Sequence, residues 1–211
     1  MSVPTVQGPV RFSLQPGGSP MPMVLIGYPF SVMDYIRSVT YADPAGQNWT
    51  YQTFGWWDWF EGSNVPHSTP DVGSFSVGAA TPAGAVPTVG SAVFTGRLGA
   101  AVYPQTVASP TEVAANMSLS VNFGARSAAF SSADWADRTN GVQAGTALSG
   151  QLTYQAGANL MSGKLATANG QYSGQASAQF YGPAAQEVGG AFTLAPASGA
   201  GQVVGGFGAA R

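Results

Sequence analysis

Along the last two-thirds of the chain, apolar and polar residues alternate with a period of two, the repeat of a strand with one buried and one solvated face. Over 116–124, Met117, Leu119, Val121 and Phe123 fall on one face, and Ser118, Ser120 and Asn122 on the other. Over 146–155, Leu148, Leu152 and Tyr154 alternate with Ser149, Gln151, Thr153 and Gln155. Over 171–181, Tyr172, Gly174, Ala176, Ala178 and Phe180 alternate with Gln171, Ser173, Gln175, Ser177 and Gln179. Less regular stretches at 74–79, 91–103, 127–134, 160–169, 188–194 and 202–208 read as further strands. Asn140-Gly141 and Asn169-Gly170 read as hairpin turns. About eight or nine short strands punctuated in this way predict a small antiparallel barrel.

Small residues on the apolar faces (Gly96, Gly150, Gly174, Ala176, Gly190) suit a crowded barrel interior. Alternation alone does not say which face is inside, because an outer-membrane barrel carries the same pattern inverted. The apolar face is small and lacks aromatic girdles, which favours a soluble barrel with its apolar face inward.

The first 70 residues read differently. Pro4, Pro9, Pro16, Pro20, Pro22 and Pro29 interrupt the opening stretch. Strands are expected at 24–28, 35–41 and 49–57, and Phe54-Gly55-Trp56-Trp57-Asp58-Trp59-Phe60 is denser in aromatics than a routine strand. His67-Ser68-Thr69-Pro70 reads as a linker. The expected organisation is all-β: a β-rich, proline-broken handle region over 1–70, then an eight-stranded antiparallel soluble β-barrel over 71–211.

Composition narrows the function classes. Charged residues make up 8% of the chain, against about 25% in typical soluble domains. The 45% hydrophobic content and 29 glycines fit a globular, turn-rich β protein. A net charge of −2 with seven basic residues argues against a nucleic-acid partner. No apolar run reaches the length of a transmembrane helix. Neither a secretory leader nor a lipid-attachment cysteine is legible, although low charge and abundant Ser, Thr and Gly suit an extracytoplasmic protein.

Catalytic constellations are lacking in the sequence, and the chain is expected not to be an enzyme. The one histidine, His67, has Ser68 and Asp71 too close in sequence to form a hydrolytic triad with it. The carboxylates are scattered apart from Asp134 and Asp137, expected in a loop with Arg138. Haem binding has more to build on. It needs an axial ligand and an apolar wall. His67 could be that ligand, with Tyr51 or Tyr103 as alternatives, and Trp56, Trp57, Trp59 and Phe60 could form the wall. Equally, His67 could be an exposed linker residue, and the aromatic cluster could pack handle against barrel or contact a receptor.

Two C-terminal motifs carry a resemblance. Residues 179–192, with Phe180-Tyr181-Gly182-Pro183, Glu187, Gly189-Gly190 and Phe192, resemble a signature of the barrel of transferrin-binding protein B and its relatives. The ending Val204-Gly205-Gly206-Phe207-Gly208-Ala209-Ala210-Arg211 resembles the close of the same barrel. Residues 51–56 resemble the strand before the barrel, and Phe75–Gly78 with 87–96 its first hairpin.

The resemblance implies an exported or surface-attached Gram-negative binding protein, many relatives being surface lipoproteins that serve a TonB-dependent outer-membrane receptor. By its single-lobe size the chain is similar to the haem-binding, hemophilin-like members, which implies capture of a small hydrophobic ligand such as haem. The alternative is a module that docks a host or receptor protein through loops and exposed tryptophans. The Gly and Pro of the 180–183 motif are expected to turn a barrel corner, and Glu187 to offer its carboxylate to a turn amide.

Overall fold

The period-two segments pair into two sheets in the computed structural model, which describes residues 24–25, 35–40, 49–60, 71–103, 110–137, 147–199 and 201–211, with backbone alone for 24–25, 35–40, 58–60, 71 and 134. Strands β1 (Val24–Leu25), β2 (Tyr35–Thr40), β3 (Gln52–Phe60) and β4 (Asp71–Gly78) form an antiparallel sheet in chain order. The remaining strands are β5 (Ser91–Tyr103), β6 (Thr111–Asn122), β7 (Ser127–Asp137), β8 (Leu148–Thr153), β9 (Leu160–Thr167), β10 (Tyr172–Tyr181), β11 (Glu187–Pro196) and β12 (Gln202–Ala210). They close into one antiparallel barrel in the cyclic order β10-β11-β12-β5-β6-β7-β8-β9.

The alternation predicted from sequence is the alternation of burial. Leu119, Val121, Phe123, Leu148, Leu152 and Phe180 are buried inside the barrel. Ser120, Asn122, Gln175 and Ser177 are exposed on its outer surface. The apolar face is therefore inside, so the outer wall lacks the apolar band of a bilayer-spanning barrel. Among the described residues no helix is long and apolar enough to cross a membrane.

Two differences concern where the barrel starts. Strand β4 pairs with β3 from Gln52↔Gly78 to Trp59↔Asp71, so Phe75–Gly78 belongs to the first sheet and not to a barrel hairpin. The barrel opens with β5, which pairs with β6 and β12. Between β4 and β5 the chain crosses one end of the barrel and plugs it. There Val86 and Ala185 are buried against Phe94, Phe123, Tyr154 and Phe180. Phe180 is the hub, with ring centroids 5.7–5.9 Å from Phe94, Phe123 and Tyr154.

The Tyr181-Gly182-Pro183 corner does more than end a strand. Gly182 has φ +84°, a conformation open to glycine. Its N–H donates to Ala79 O, its carbonyl accepts from the Thr81 hydroxyl, and Thr81 N–H donates to Phe180 O. Asn159 joins the same clasp: its Oδ1 accepts from Phe180 N–H at 2.7 Å, and its Nδ2 donates to the carbonyls of Thr81 and Phe180. The plug is thus tied down by polar groups that burial would otherwise leave costly.

Candidate functional site

The first sheet docks on the barrel through an outer wall made of glycine. On β11 and β12, Val188, Phe192, Phe207 and Ala209 point into the barrel, leaving Gly189, Gly206 and Gly208 on the outside. Gln52, Phe54 and Trp56, alternate residues of β3, lie 6%, 0% and 0% exposed against that wall. A Cβ on Gly208 would meet the Gln52 amide and the Phe54 ring, and one on Gly206 would lie 2.9 Å from Gly55 O and 3.0 Å from Phe75 O. Strand β4 contributes serines to the joint: the Ser76 hydroxyl is 2.9 Å from the Tyr181 hydroxyl, and Ser74 donates to Phe192 O. Glu187, 4% exposed, closes one end of it by accepting from Thr50 N–H at 2.7 Å and Tyr51 N–H at 3.1 Å.

The inward glycines answer a different need. Gly190 is the register partner of Phe207, and Gly205 that of Phe192. In both pairs the phenyl ring of one strand fills the space that a Cβ on the other would occupy. The two C-terminal motifs are therefore complementary halves of one piece of packing, with Gly189 and Gly190 facing opposite sides of the barrel wall.

The predicted ligand residues are distributed over separate places. Trp56 and Tyr103 share one buried cluster in the joint with Phe54, Ala101 and Val204. Tyr51 lies at the plugged end, its ring beside Gly182. Its neighbour Glu187 is in register with Ala210, and Ala210 with Thr95, whereas Tyr103 ends the same strand β5. At about 3.3 Å per residue, Tyr103 lies about 26 Å along β5 from the Thr95 level at which Glu187 holds Tyr51. Trp57 is on the other face of β3 and half-buried, its indole lying over Gly73. Trp59 and Phe60 are in β3 with their side chains outside the described residues, as is all of His67. Of the set, the structure brings together Trp56 and Tyr103.

Asp134 and Asp137 are in β7 rather than in a loop, while Arg138 lies outside the described residues. The strand reaches them through a bulge. The β6–β7 register runs Asn116↔Ala133 and then Ala114↔Ala136, so two β7 residues stand opposite Ala115. Before it Ala128, Phe130 and Ser132 are the buried β7 positions, and after it Trp135 is. The extra residue flips the parity and turns Trp135 into the barrel. Its indole N–H donates to Ser132 Oγ at 2.8 Å, and that hydroxyl also takes the place of a ladder partner for Leu148.

Trp135 helps line a cavity of about 260 Å³ at the end of the barrel opposite the plug. Val102, Val113, Leu194 and Val203 supply apolar walls, and Thr111, Gln171 and Tyr172 belong to the polar part of the lining. The alternation puts Tyr172 on the apolar face of its strand, but no sequence reading singled out Trp135. Parity counted along β7 without the bulge places Trp135 outside, and a large aromatic on an otherwise small, polar outer face was the available sign of a register shift.

A closed eight-stranded barrel with a sheet seated on its glycine wall defines a rigid β scaffold of the lobe type. The C-lobe and N-lobe β-barrels of Tf-binding protein B match residues 83–211, more than half of the chain, and the chain belongs to that family. Among solved structures it is similar to a mutant of transferrin binding protein B from Haemophilus parasuis Hp5, at 19% identity and a TM-score of 0.58 over 88% of this chain and 38% of that one. It is similar to intact Ap-TbpB, with N and C lobes, at 19% identity and a TM-score of 0.59 over 92% of this chain and 39% of that one. It is also similar to the isotype 1 protein from serogroup B Neisseria meningitidis, at 17% identity and a TM-score of 0.53 over 92% and 36%. The chain thus spans well under half the length of these proteins. No curated protein matches it by sequence.

Proposed function

We propose that this protein is an exported or surface-attached bacterial binding protein that captures a host protein of the transferrin class and passes it to a TonB-dependent outer-membrane receptor. The observation that carries this reading is the joint: it consumes Trp56 and Tyr103 as packing and holds sheet and barrel as one preformed body. A preformed scaffold loses little freedom when it meets a folded partner, and that favours protein docking. The barrel family supplies the partner class. The test is surface plasmon resonance of iron-loaded and iron-free host transferrins over the immobilised protein. Saturable binding supports the reading; no response from a panel of host transferrins removes it.

Haem capture is the second reading. It is favoured by Trp57, which lies half-buried on the face of β3 away from the joint with its indole over Gly73. In this reading His67 is the axial ligand, with Trp57, Trp59 and Phe60 as the wall. Tyr51 is the alternative ligand, its ring at the plugged end. A haemin titration that gives a Soret shift lost in His67→Ala supports it. An unchanged haemin spectrum sinks it.

A further inference from the structure

We propose that the cavity at the end of the barrel opposite the plug is a binding site for a small, uncharged aromatic molecule carrying one hydrogen-bonding group. Three observations point there. The barrel is filled below this level: Phe130 and Phe207 pack edge to face with centroids 5.0 Å apart, and Leu98 and Phe192 are fully buried beside them. Above it the described residues leave a cavity of about 260 Å³ between Val102, Val113, Leu194 and Val203. That volume is just below the range of drug-sized sites, about 300–1,000 Å³, and suits a fused two-ring molecule.

The second observation is the bulge. Kept in its earlier parity, β7 would turn Asp134 and Ala136 toward the interior and Trp135 outward. The extra residue instead brings the indole of Trp135 to the cavity wall, and Ser132 holds its N–H at 2.8 Å, fixing the ring plane. Bulges at barrel rims re-aim side chains in this way. The third is the chemistry of the lining. None of the described lining residues is charged, so an ionised ligand would lose its hydration without a counter-charge from them. Polar capacity is confined to the rim. Asn169 Oδ1 accepts from Gln171 N–H there, and Asn169, Gln171 and Tyr172 together supply amide and hydroxyl groups to the lining.

2-Naphthol is a suitable probe, since it is neutral, two-ringed, fluorescent and carries one hydroxyl. Binding is expected with a Kd on the order of 10–100 µM, from its atom count and typical ligand efficiency. The charged analogue 2-naphthalenesulfonate is expected to bind at least about tenfold more weakly. Val113→Phe, which fills the cavity, is expected to abolish binding. Tyr172→Phe is expected to weaken 2-naphthol about three- to tenfold and to leave naphthalene unaffected. Because Val113→Phe could fail to fold, amide and indole NMR shifts of the unmodified protein provide a second readout. Shifts caused by 2-naphthol should centre on Val102, Val113, the Trp135 indole N–H and Val203. No saturable signal up to about 1 mM, equal binding of the sulfonate, or shifts centred elsewhere would each overturn the proposal. None of these outcomes bears on transferrin or haemin binding.

Discussion

Glu187 Oε1 accepts a hydrogen bond from the backbone N–H of Thr50 at 2.7 Å, across 137 residues of sequence. Its second oxygen takes the N–H of Tyr51 at 3.1 Å. A carboxylate at the first position of β11 thus receives the start of β3 just before that strand crosses the glycine wall. Both bonds are charge-assisted and the side chain is almost fully buried, which places them among the stronger kind.

Replacing Glu187 with alanine removes both acceptors and leaves the Thr50 and Tyr51 amides without them at the edge of the joint. Glu187→Ala is expected to lower stability by about 2–4 kcal/mol, seen as a lower urea midpoint. Glu187→Gln keeps one acceptor and turns a donor toward an amide N–H, and should recover less than half of that loss. An alanine variant as stable as the parent would show that Thr50 and Tyr51 find other partners.

The glycine wall makes a second prediction. Gly208→Ala forces a methyl into the Gln52 and Phe54 side chains and should cost about 1–3 kcal/mol by overpacking. Gly206→Ala meets backbone atoms of Gly55 and Phe75 and should cost at least as much. Gly84→Ala, with nothing within 4 Å and an ordinary φ, is the control and should change stability by less than about 0.5 kcal/mol. Thermal melts of the three variants separate packing at the joint from a general intolerance of alanine.

Tyr154 supplies the pH dependence. Its ring is buried in the plugged end, and its hydroxyl has no hydrogen-bond partner among the described residues. Burial pushes its pKa above the ordinary 10.0, with the Arg126 charge partly offsetting the shift. The unfolded chain therefore loses this proton first. The stability tied to neutral Tyr154 is present below pH 10 and is lost as pH rises through the higher folded value. Tyr154→Phe should flatten that alkaline loss. At neutral pH it should be neutral to about 1 kcal/mol stabilising, since an unpaired buried hydroxyl disappears. Urea midpoints at pH 7 and above 10 report both effects.

Much of this fold is written in local pattern. Leu119, Leu152 and Phe180 follow the period of two, and their burial follows directly. Gly96, Gly150 and Gly190 were legible as interior residues for the same reason. Features that depend on distant partners were not. Nothing near Glu187 identifies Thr50 and Tyr51 as its donors, so a turn amide was the natural expectation. Nothing near Gly206 and Gly208 says that a second sheet covers them. Trp135 escaped because one inserted residue inverts every later assignment in a strand. Phe75–Gly78 resembled part of the barrel's first hairpin, and only its pairing with β3 assigns it to the first sheet.

The claim on which the rest depends is that sheet and barrel form one body, since docking by a preformed scaffold and the burial of Trp56 and Tyr103 both follow from it. Native-state hydrogen exchange of the backbone amides reads this directly. The amides of Phe54 and Trp56 in β3 are predicted to exchange through the same global opening, with the same free energy, as those of Leu98 and Leu119 in the barrel. Exchange of the β3 amides through a separate opening several kcal/mol cheaper, with the barrel amides still protected, would contradict it.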